Sequence, residues 1–577
     1  MRNIRNSMTC TSKAYRGVWL LLALLLLCGC AVRSEQPSQT EAAAANQLPV
    51  LATPAAGGDI RISMPYDAPT LNPLDVSTAE MTALLDLVYE KPVEIDEDGR
   101  IVPQLFESWM PYEAYETGQP QQSPDPQDTQ GDDDQDPDNE PAHLEGGYVF
   151  LIREGVSWQG GAGQLDADDV LHTLDEIKQR VNDLDADTVY RGCIDVIEGY
   201  EKLGDGAVRI TANCSLQYLL YHLDFPVLPQ GQDVTMSPLG TGPYRVESYT
   251  PKQSMKLVRN ADWWDERGVY IDSITALCTA DDAHALAAYQ DGGLDAVYTI
   301  DLTASAFRNT QEDTAKQAIS RYYTYIAINH THERLGALDI RKAIAYSLDK
   351  GELATRAFSR HGVMANVPSL PGNYYNATVY PYESLLRNEV TPLLQGQGFS
   401  DRDHDGIVED AMRKPLTFKL LVSASLEGIP LADMAKTIER QLEKSGMGVE
   451  IVAVEKEEYA ARLHQGDFDL ALVHTYLPQA PDYGVFLAPE GALNYGGYAE
   501  ASAVTLTDAV KKAEDEQDFM EAMNALNSYF MAEIPHIPVC FQTRTLLLRN
   551  VIQGVTNAPD PYPYMHIENW YVGETTE

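Results

Sequence analysis

The sequence predicts a mixed α/β protein, and two observations carry that reading. From Gly58 onward, short apolar strands at 60–64, 148–153 and 255–258 alternate with helical stretches at 79–89 and 166–180. No short-period repeat runs through the chain. Composition narrows the class further. The 577 residues carry 86 Asp+Glu against 42 Lys+Arg, a formal charge of −44, with 44% hydrophobic residues. Ordinary Gly and Pro contents exclude a collagen-like or globally disordered chain. The acidic excess argues against nucleic-acid binding, which clustered Lys and Arg drive.

The N-terminus reads as an address. Arg2, Arg5, Lys13 and Arg16 precede an unbroken apolar run at 18–28. At ~1.5 Å per residue this run spans about 16 Å, half a bilayer core, so it fits a secretory signal and not a membrane span. Leu27-Cys28-Gly29-Cys30 resembles the bacterial lipobox, which implies cleavage after residue 29 and lipid on Cys30. Several acyl chains together hold a protein firmly at a membrane. Residues 30–57, rich in Ala, Ser, Gln, Thr and Pro, then form a flexible tether. Loss of 1–29 removes four positive charges and no negative ones, leaving the mature chain near −48.

Within the body, Asp166, Asp168 and Asp169 open a helix, their carboxylates complementing its dipole. Strands near 194–200 and 207–213 flank a Gly204-Asp205-Gly206 turn and read as a hairpin. Cys193 and Cys214 bracket it, either as a cross-strand disulfide or as two buried thiols. Residues 111–146 contain eleven Asp/Glu and no Lys or Arg, a disordered insertion between two strands. Asp401, Asp403 and Asp405 precede Gly406 with calcium-loop spacing, but position twelve is Met412, so a polar turn is the preferred reading. No G-x-S-x-G or Walker lysine loop is present, and His332-Glu333 lacks the second histidine of a zincin helix. Binding is favoured over catalysis, and no cofactor is expected.

A series of phrases in chain order carries a family resemblance. They are Pro69-Thr70-Leu71-Asn72-Pro73-Leu74, Val88-Tyr89-Glu90, Asp98-Gly99-Arg100-Ile101-Val102-Pro103 and Glu107-Ser108-Trp109. The stretches 148–158, Gly240-Thr241-Gly242-Pro243-Tyr244, 257–264, 339–349 and 466–470 continue the series. Together they resemble the family 5 extracellular solute-binding proteins, the oligopeptide-, dipeptide- and nickel-binding receptors of ABC importers. The resemblance implies a two-lobed fold of the type II periplasmic-binding-protein kind, with an extra subdomain and a hinge. Lobe I would comprise 58–88, 190–278 and 540–577, the extra subdomain 89–189, and lobe II 279–539. Cys278 and Cys540 would lie near the two crossovers, where a hinge disulfide is conceivable.

On that resemblance the ligand is a peptide or similar small solute and the partner is an ABC permease. The protein would be a lipid-anchored monomer on the outer face of the membrane, most naturally of a Gram-positive cell. Peptide-binding relatives hold the ligand's ammonium group with an Asp in a W-x-x-D-x-x-D-P stretch. Aligned on Pro481, this chain has His474 at the Trp position and Leu477 at the Asp position. A charged amino terminus desolvated without a partner costs several kcal/mol. Either Asp482 substitutes, or the solute is not a free-amino peptide but, for example, a metal chelate or an oligosaccharide. Tyr476, His474, Asn329, Asn494, Tyr495 and Asn72 are the other candidate ligand-binding residues. A surface-anchored hydrolase is the rival from another class.

Overall fold

The computed structural model describes residues 54–64, 70–76, 78–117, 146–183, 189–307, 312–359, 361–376, 384–424 and 431–573. The predicted signal at 1–29, Cys30, residues 31–53 of the predicted tether and residues 118–145 of the acidic insertion lie outside them.

Two unusually long strands organise the chain. Asp313–Ile328 has 16 residues and His536–Arg549 has 14, against about 5–6 in an average strand. Both are rich in β-branched and aromatic residues, and they pair antiparallel from Asp313↔Arg549 to Ala327↔His536. Each also pairs with a different neighbour along part of its length. Leu470–Tyr476 joins the first strand over Tyr322–Ile328, while Ala296–Thr299 joins the second over Thr545–Leu548. An 11-stranded sheet therefore consists of two half-sheets sharing two strands. One half adds Thr417–Ser423 and Gly448–Val454; the other adds Asp59–Met64, Ser273–Cys278, Ser254–Arg259 and Tyr244–Thr250.

Period-two alternation places a core on each face of the first half. Leu470, Leu472, Leu420 and Val422 pack with Ile340, Ile344, Leu353 and Ile438 from the helices Leu338–Ser347, Lys350–Phe358 and Leu431–Glu443. Ala471, Val473 and Leu421 belong to the other core, which also holds Tyr498, Phe519 and Phe530, the last two from the helix Glu516–Glu533. A separate antiparallel sheet runs Phe106–Pro111, Tyr148–Ile152, Ala207–Ala212, Ile197–Gly204. Against it lies the helix Ala167–Asn182, started by a capping box between Asp166 and Asp169.

Several expectations are corrected by this arrangement. The crossings between half-sheets fall inside the two long strands, not at residues 278 and 540. Ala296–Thr299 sits between Asp59–Met64 and His536–Arg549, so at 279 the chain has not yet left the half that contains Asp59–Met64. The hairpin Ile197–Gly204/Ala207–Ala212 belongs to the small sheet and extends the extra subdomain beyond 189. The insertion begins with order: the strand runs to Pro111 and Tyr112–Thr117 is helical.

Among the described residues no disulfide forms: Cys193, Cys214, Cys278 and Cys540 are free thiols, so of the two readings for Cys193 and Cys214 the thiol one holds, with Cys193 buried and Cys214 half-buried. Cys278 and Cys540 lie on strands three positions apart in the sheet, about 14 Å at ~4.8 Å per strand and beyond disulfide reach. Cys193 sits in the helical turn Arg191–Val196, off the ladder that starts at Ile197↔Ala212.

The Gly240–Tyr244 turn shows why its glycines are needed. Gly242 N–H donates to Val88 O (2.9 Å) and Tyr244 N–H to Leu87 O (3.0 Å), seating the turn on the 87–90 backbone. A Cβ on Gly240 would lie 1.8 Å from Val88 O. Gln159 Nε2 donates to Tyr244 O (2.7 Å), and Asn260 Nδ2 to Gly242 O (2.9 Å). Gly240→Ala is expected to destabilise the fold by about 2–3 kcal/mol, read from urea unfolding midpoints. A wild-type midpoint would show that the turn is not so tightly seated.

Candidate ligand-binding cleft

The ladder between the two long strands is interrupted between Ile319↔Thr543 and Tyr323↔Phe541, where the first strand carries two more residues than the second. Such a bulge bends a strand and re-aims its side chains. A cavity of about 300 Å³ opens there. Its walls come from the bulge (Ala318, Ile319, Arg321), the loop after Leu470–Tyr476 (Leu477 to Phe486), the 368–375 loop, the 95–99 turn and the 557–560 segment. The lining is mostly apolar with a few polar groups, as in small-molecule sites.

Contacts run directly between the small-sheet side and the helix Glu516–Glu533. Tyr221 stacks on Phe519 at 5.3 Å between ring centroids, and Tyr375 meets Phe519 edge-on. Tyr221 Oη donates to Gly99 O (2.9 Å), Tyr374 N–H donates to Asp98 O (2.9 Å), and Arg100 pairs with Glu516.

Beneath the cavity, Arg544 ion-pairs with Glu80 and with Asp560, which is 1% exposed. The Tyr298 hydroxyl also donates to Asp560, and Tyr476 Oη approaches it at 3.4 Å. Burial opposes the charge of Arg544, but Tyr298, Glu80 and Asp560 outweigh it and raise its pKa. Lys91 is held similarly between Asp224 (3.0 Å) and Asp86 (3.1 Å), over the ring of Tyr562. The adjacent Glu90 accepts from Trp263 Nε1 (3.1 Å) and Trp264 Nε1 (2.8 Å). Burial pushes the Glu90 carboxyl up to about 7, against those hydrogen bonds.

Of the residues singled out from sequence, Asp482 lines the cavity. Its Oδ1 accepts from Gly484 N–H (2.7 Å), and the Tyr218 hydroxyl also bonds it. Leu477 lines the cavity too, its N–H donating to Arg321 O. Tyr476 and His474 lie behind this wall. His474 stacks on Tyr322 and meets Thr324 Oγ1 through Nδ1 (2.9 Å); burial lowers its pKa to about 4, so it is neutral.

The remaining candidates are not brought to the cavity. Asn329 bonds the backbone of Gly466 and Phe468, Asn494 bonds Ala488 and Tyr498, and Asn72 caps Leu74. Tyr495 packs against His464. At the acidic loop, oxygens of Asp401, Asp403, Asp405 and Glu409 lie within 4.8 Å of one another. Their oxygens accept loop N–H groups, as in a polar turn.

Sequence reasoning missed Arg321, Gln479, Tyr221 and Tyr375. For Arg321 a signal was present: a lone cation heading the aromatic run Tyr322-Tyr323-Thr324-Tyr325.

The comparisons with known proteins agree with this architecture. Residues 100–491 match the bacterial extracellular solute-binding proteins, family 5 (middle region), and the chain belongs to that family. It is 23% identical over 458 residues to the oligopeptide-binding protein AppA of Bacillus subtilis, covering 75% of this chain and 82% of that one. Di/tripeptide-binding protein 3 of Pseudomonas aeruginosa is 22% identical over 472 residues, covering 71% and 84%. Among solved structures, NikA from Brucella suis with Fe(III)-EDTA aligns with a TM-score of 0.69 at 20% identity, covering 89% of this chain and all of that one. Bacillus subtilis AppA with a nonapeptide gives 0.62 at 19%, covering 90% and 100%. The shared fold is the two-lobed, type II periplasmic-binding-protein kind.

Glu90 gives this region a testable pH signature. Its folded pKa lies above the unfolded value, so the folded state binds the extra proton and stability falls as pH rises from about 4.5 to 7. Between pH 5 and 8 the wild type should lose about 2–3 kcal/mol more than Glu90→Gln in parallel urea titrations. Identical slopes would show that Glu90 titrates normally.

Proposed function

We propose that the protein is an extracytoplasmic solute receptor that captures one small solute and presents it to an ABC importer. The observation that carries this reading is the cavity at the bulge of the two shared strands, walled by residues from both halves. A ligand touching both halves binds the closed arrangement better than any open one, so it shifts the equilibrium towards closure. Capture of this kind needs no bond to break, and a non-catalytic role follows.

A cavity of about 300 Å³ lies at the lower end of ligand pockets. It suits a di- or tripeptide, or a compact metal chelate, better than a long peptide. Leu477 at the position of the ammonium-binding Asp favours the chelate as a second reading. Asp482 is the carboxylate that supports a cationic group of the solute.

Residues 1–29 are proposed as a lipoprotein signal, Cys30 as the lipidated residue and 30–57 as the tether, holding a monomeric receptor at the outer face of the membrane. Among the described residues no helix is long and apolar enough to cross a membrane. A Gram-positive surface suits a tethered receptor, because no outer membrane would retain a free one.

Native mass spectrometry of freshly purified protein should find a stoichiometric small ligand, and small-angle scattering should show compaction when it is restored. Chemical turnover of that ligand would overturn the receptor reading. Asp482→Asn keeps an acceptor for Gly484 N–H and removes the charge. It should weaken a cationic solute about tenfold by calorimetry, whereas an unchanged affinity removes Asp482 from the site. Cys30→Ala should release the protein from cells into the medium and abolish labelling by palmitate; retention on membranes would refute the anchor.

A further inference from the structure

We infer that the side-chain amide of Gln479 is a specificity contact of the cleft, and that the solute presents to it an uncharged amide edge, an N–H donor beside a C=O acceptor; this rests on the receptor reading above. Among the described residues, three glutamine side-chain carbonyls are buried without a hydrogen-bond partner: those of Gln159, Gln479 and Gln542. Of the three, Gln479 alone borders the cavity. Gln159 is anchored through its Nε2, which donates to Tyr244 O, and Gln542 lies within the second long strand. At Gln479 neither end of the amide is engaged, since Nε2 also has no partner among the described residues. Nearby amides are spent: Asn376 donates to Ser369 Oγ and Leu370 O, both at 2.7 Å, and Asn373 donates to Tyr375 Oη.

The loop holds this amide in place. Leu477-Pro478-Gln479-Ala480-Pro481-Asp482 follows the strand Leu470–Tyr476 directly. A proline on each side of Gln479 fixes the backbone φ at about −65° there. Leu477 N–H donates to Arg321 O (3.0 Å) and Asp482 N–H to Ala480 O (2.8 Å), so both ends of the loop are tied. Pro478 and Pro481 have no N–H to offer, and those of Leu477 and Asp482 are already used. The loop therefore has little backbone with which to take up an extended chain as an added strand. Recognition on this wall falls to side chains, and in this loop Gln479 is the one with both hydrogen-bonding atoms unspent.

A buried amide carbonyl without a partner costs free energy, and the complement that satisfies the whole group is another amide. An N–H of the solute then meets Oε1 while its C=O meets Nε2. A carboxylate would set acceptor against acceptor at Oε1. An ammonium would satisfy Oε1 but carry its charge into a loop where Leu477 stands in place of the pairing carboxylate. The class defined is a compact solute with a primary carboxamide or a lactam: a short peptide containing Asn or Gln, or a cyclic dipeptide. A polycarboxylate metal chelate has no N–H and lies outside that class.

The test uses the purified mature protein and four kinds of probe, read by native mass spectrometry and calorimetry. These are di- and tripeptides containing Asn or Gln, the same peptides with Asp or Glu in those places, cyclic dipeptides, and Fe(III)-EDTA. The wild type should take up the carboxamide peptides or the cyclic dipeptides, with the acid peptides and the chelate about tenfold weaker or more. Gln479→Met keeps the length of the side chain and removes both hydrogen-bonding atoms. It should weaken the preferred probe about tenfold and erase its advantage over the acid peptides. Without ligand this variant should melt no lower than the wild type, because an unsatisfied group has been removed. Gln479→Glu keeps the shape but loses the N–H donor, and should also bind the preferred probe about tenfold more weakly.

Equal binding of amide and acid peptides, preferential uptake of the chelate, unchanged affinity in either variant, uptake of none of the probes, or a lower ligand-free melting temperature in Gln479→Met would each overturn the amide contact. Closure around the acid peptides in preference would do so while leaving the receptor reading intact. Turnover of a probe would sink that reading itself.

Discussion

Everything in this molecule hangs on one ladder, the antiparallel pairing of Asp313–Ile328 with His536–Arg549. Two strands this long cannot be satisfied by a single core, so each end acquires its own flanking strands and helices. The ladder is the continuous backbone path between the halves, and its irregularity at Ile319–Tyr323 fixes where the cavity lies. A regular ladder would bring the two half-sheets together without a gap. The bulge provides the gap and places a cation in it.

The buried charges around this path serve placement more than stability. Removing a fixed ion pair from water offsets much of its attraction, so the gain of such pairs lies in specifying geometry. Arg544 ties the second long strand to Glu80, in the first turn of the helix Ala79–Leu85, and to Asp560 near the end of the chain. Lys91 ties the start of the extra subdomain to Asp224, and Tyr562 donates to that same carboxylate at 2.8 Å. Segments more than 300 residues apart in sequence are thereby held against the floor of the cleft.

Much of the fold was legible in the sequence because local chemistry decided it. Asp166 and Asp169 started a helix, Gly204 and Gly206 turned a hairpin, and Ile340, Ile344 and Leu348 marked a buried helix face. Partnership was not legible. Periodicity tells which side of a strand is buried, not which strand lies beside it, so Ala296–Thr299 was assigned to the wrong half. The site was read less well for a related reason. Asn72, Asn329 and Asn494 end strands or begin turns, where an amide serves the backbone as readily as a ligand. Arg321 acquires its meaning from a bulge that pattern alone does not reveal.

The aromatic contact of Tyr221 with Phe519 and Tyr375 has a consequence for how selective such a receptor is. Phe519 does not line the cavity, so its contact with the two tyrosines favours the shut arrangement whether or not the cleft is filled. An empty molecule then spends part of its time shut, and apparent affinity is reduced only by the fraction of molecules not already competent. A stronger contact would raise affinity for every solute alike and compress the differences between them. The balance struck by these three rings thus sets how far the protein trades discrimination for scavenging.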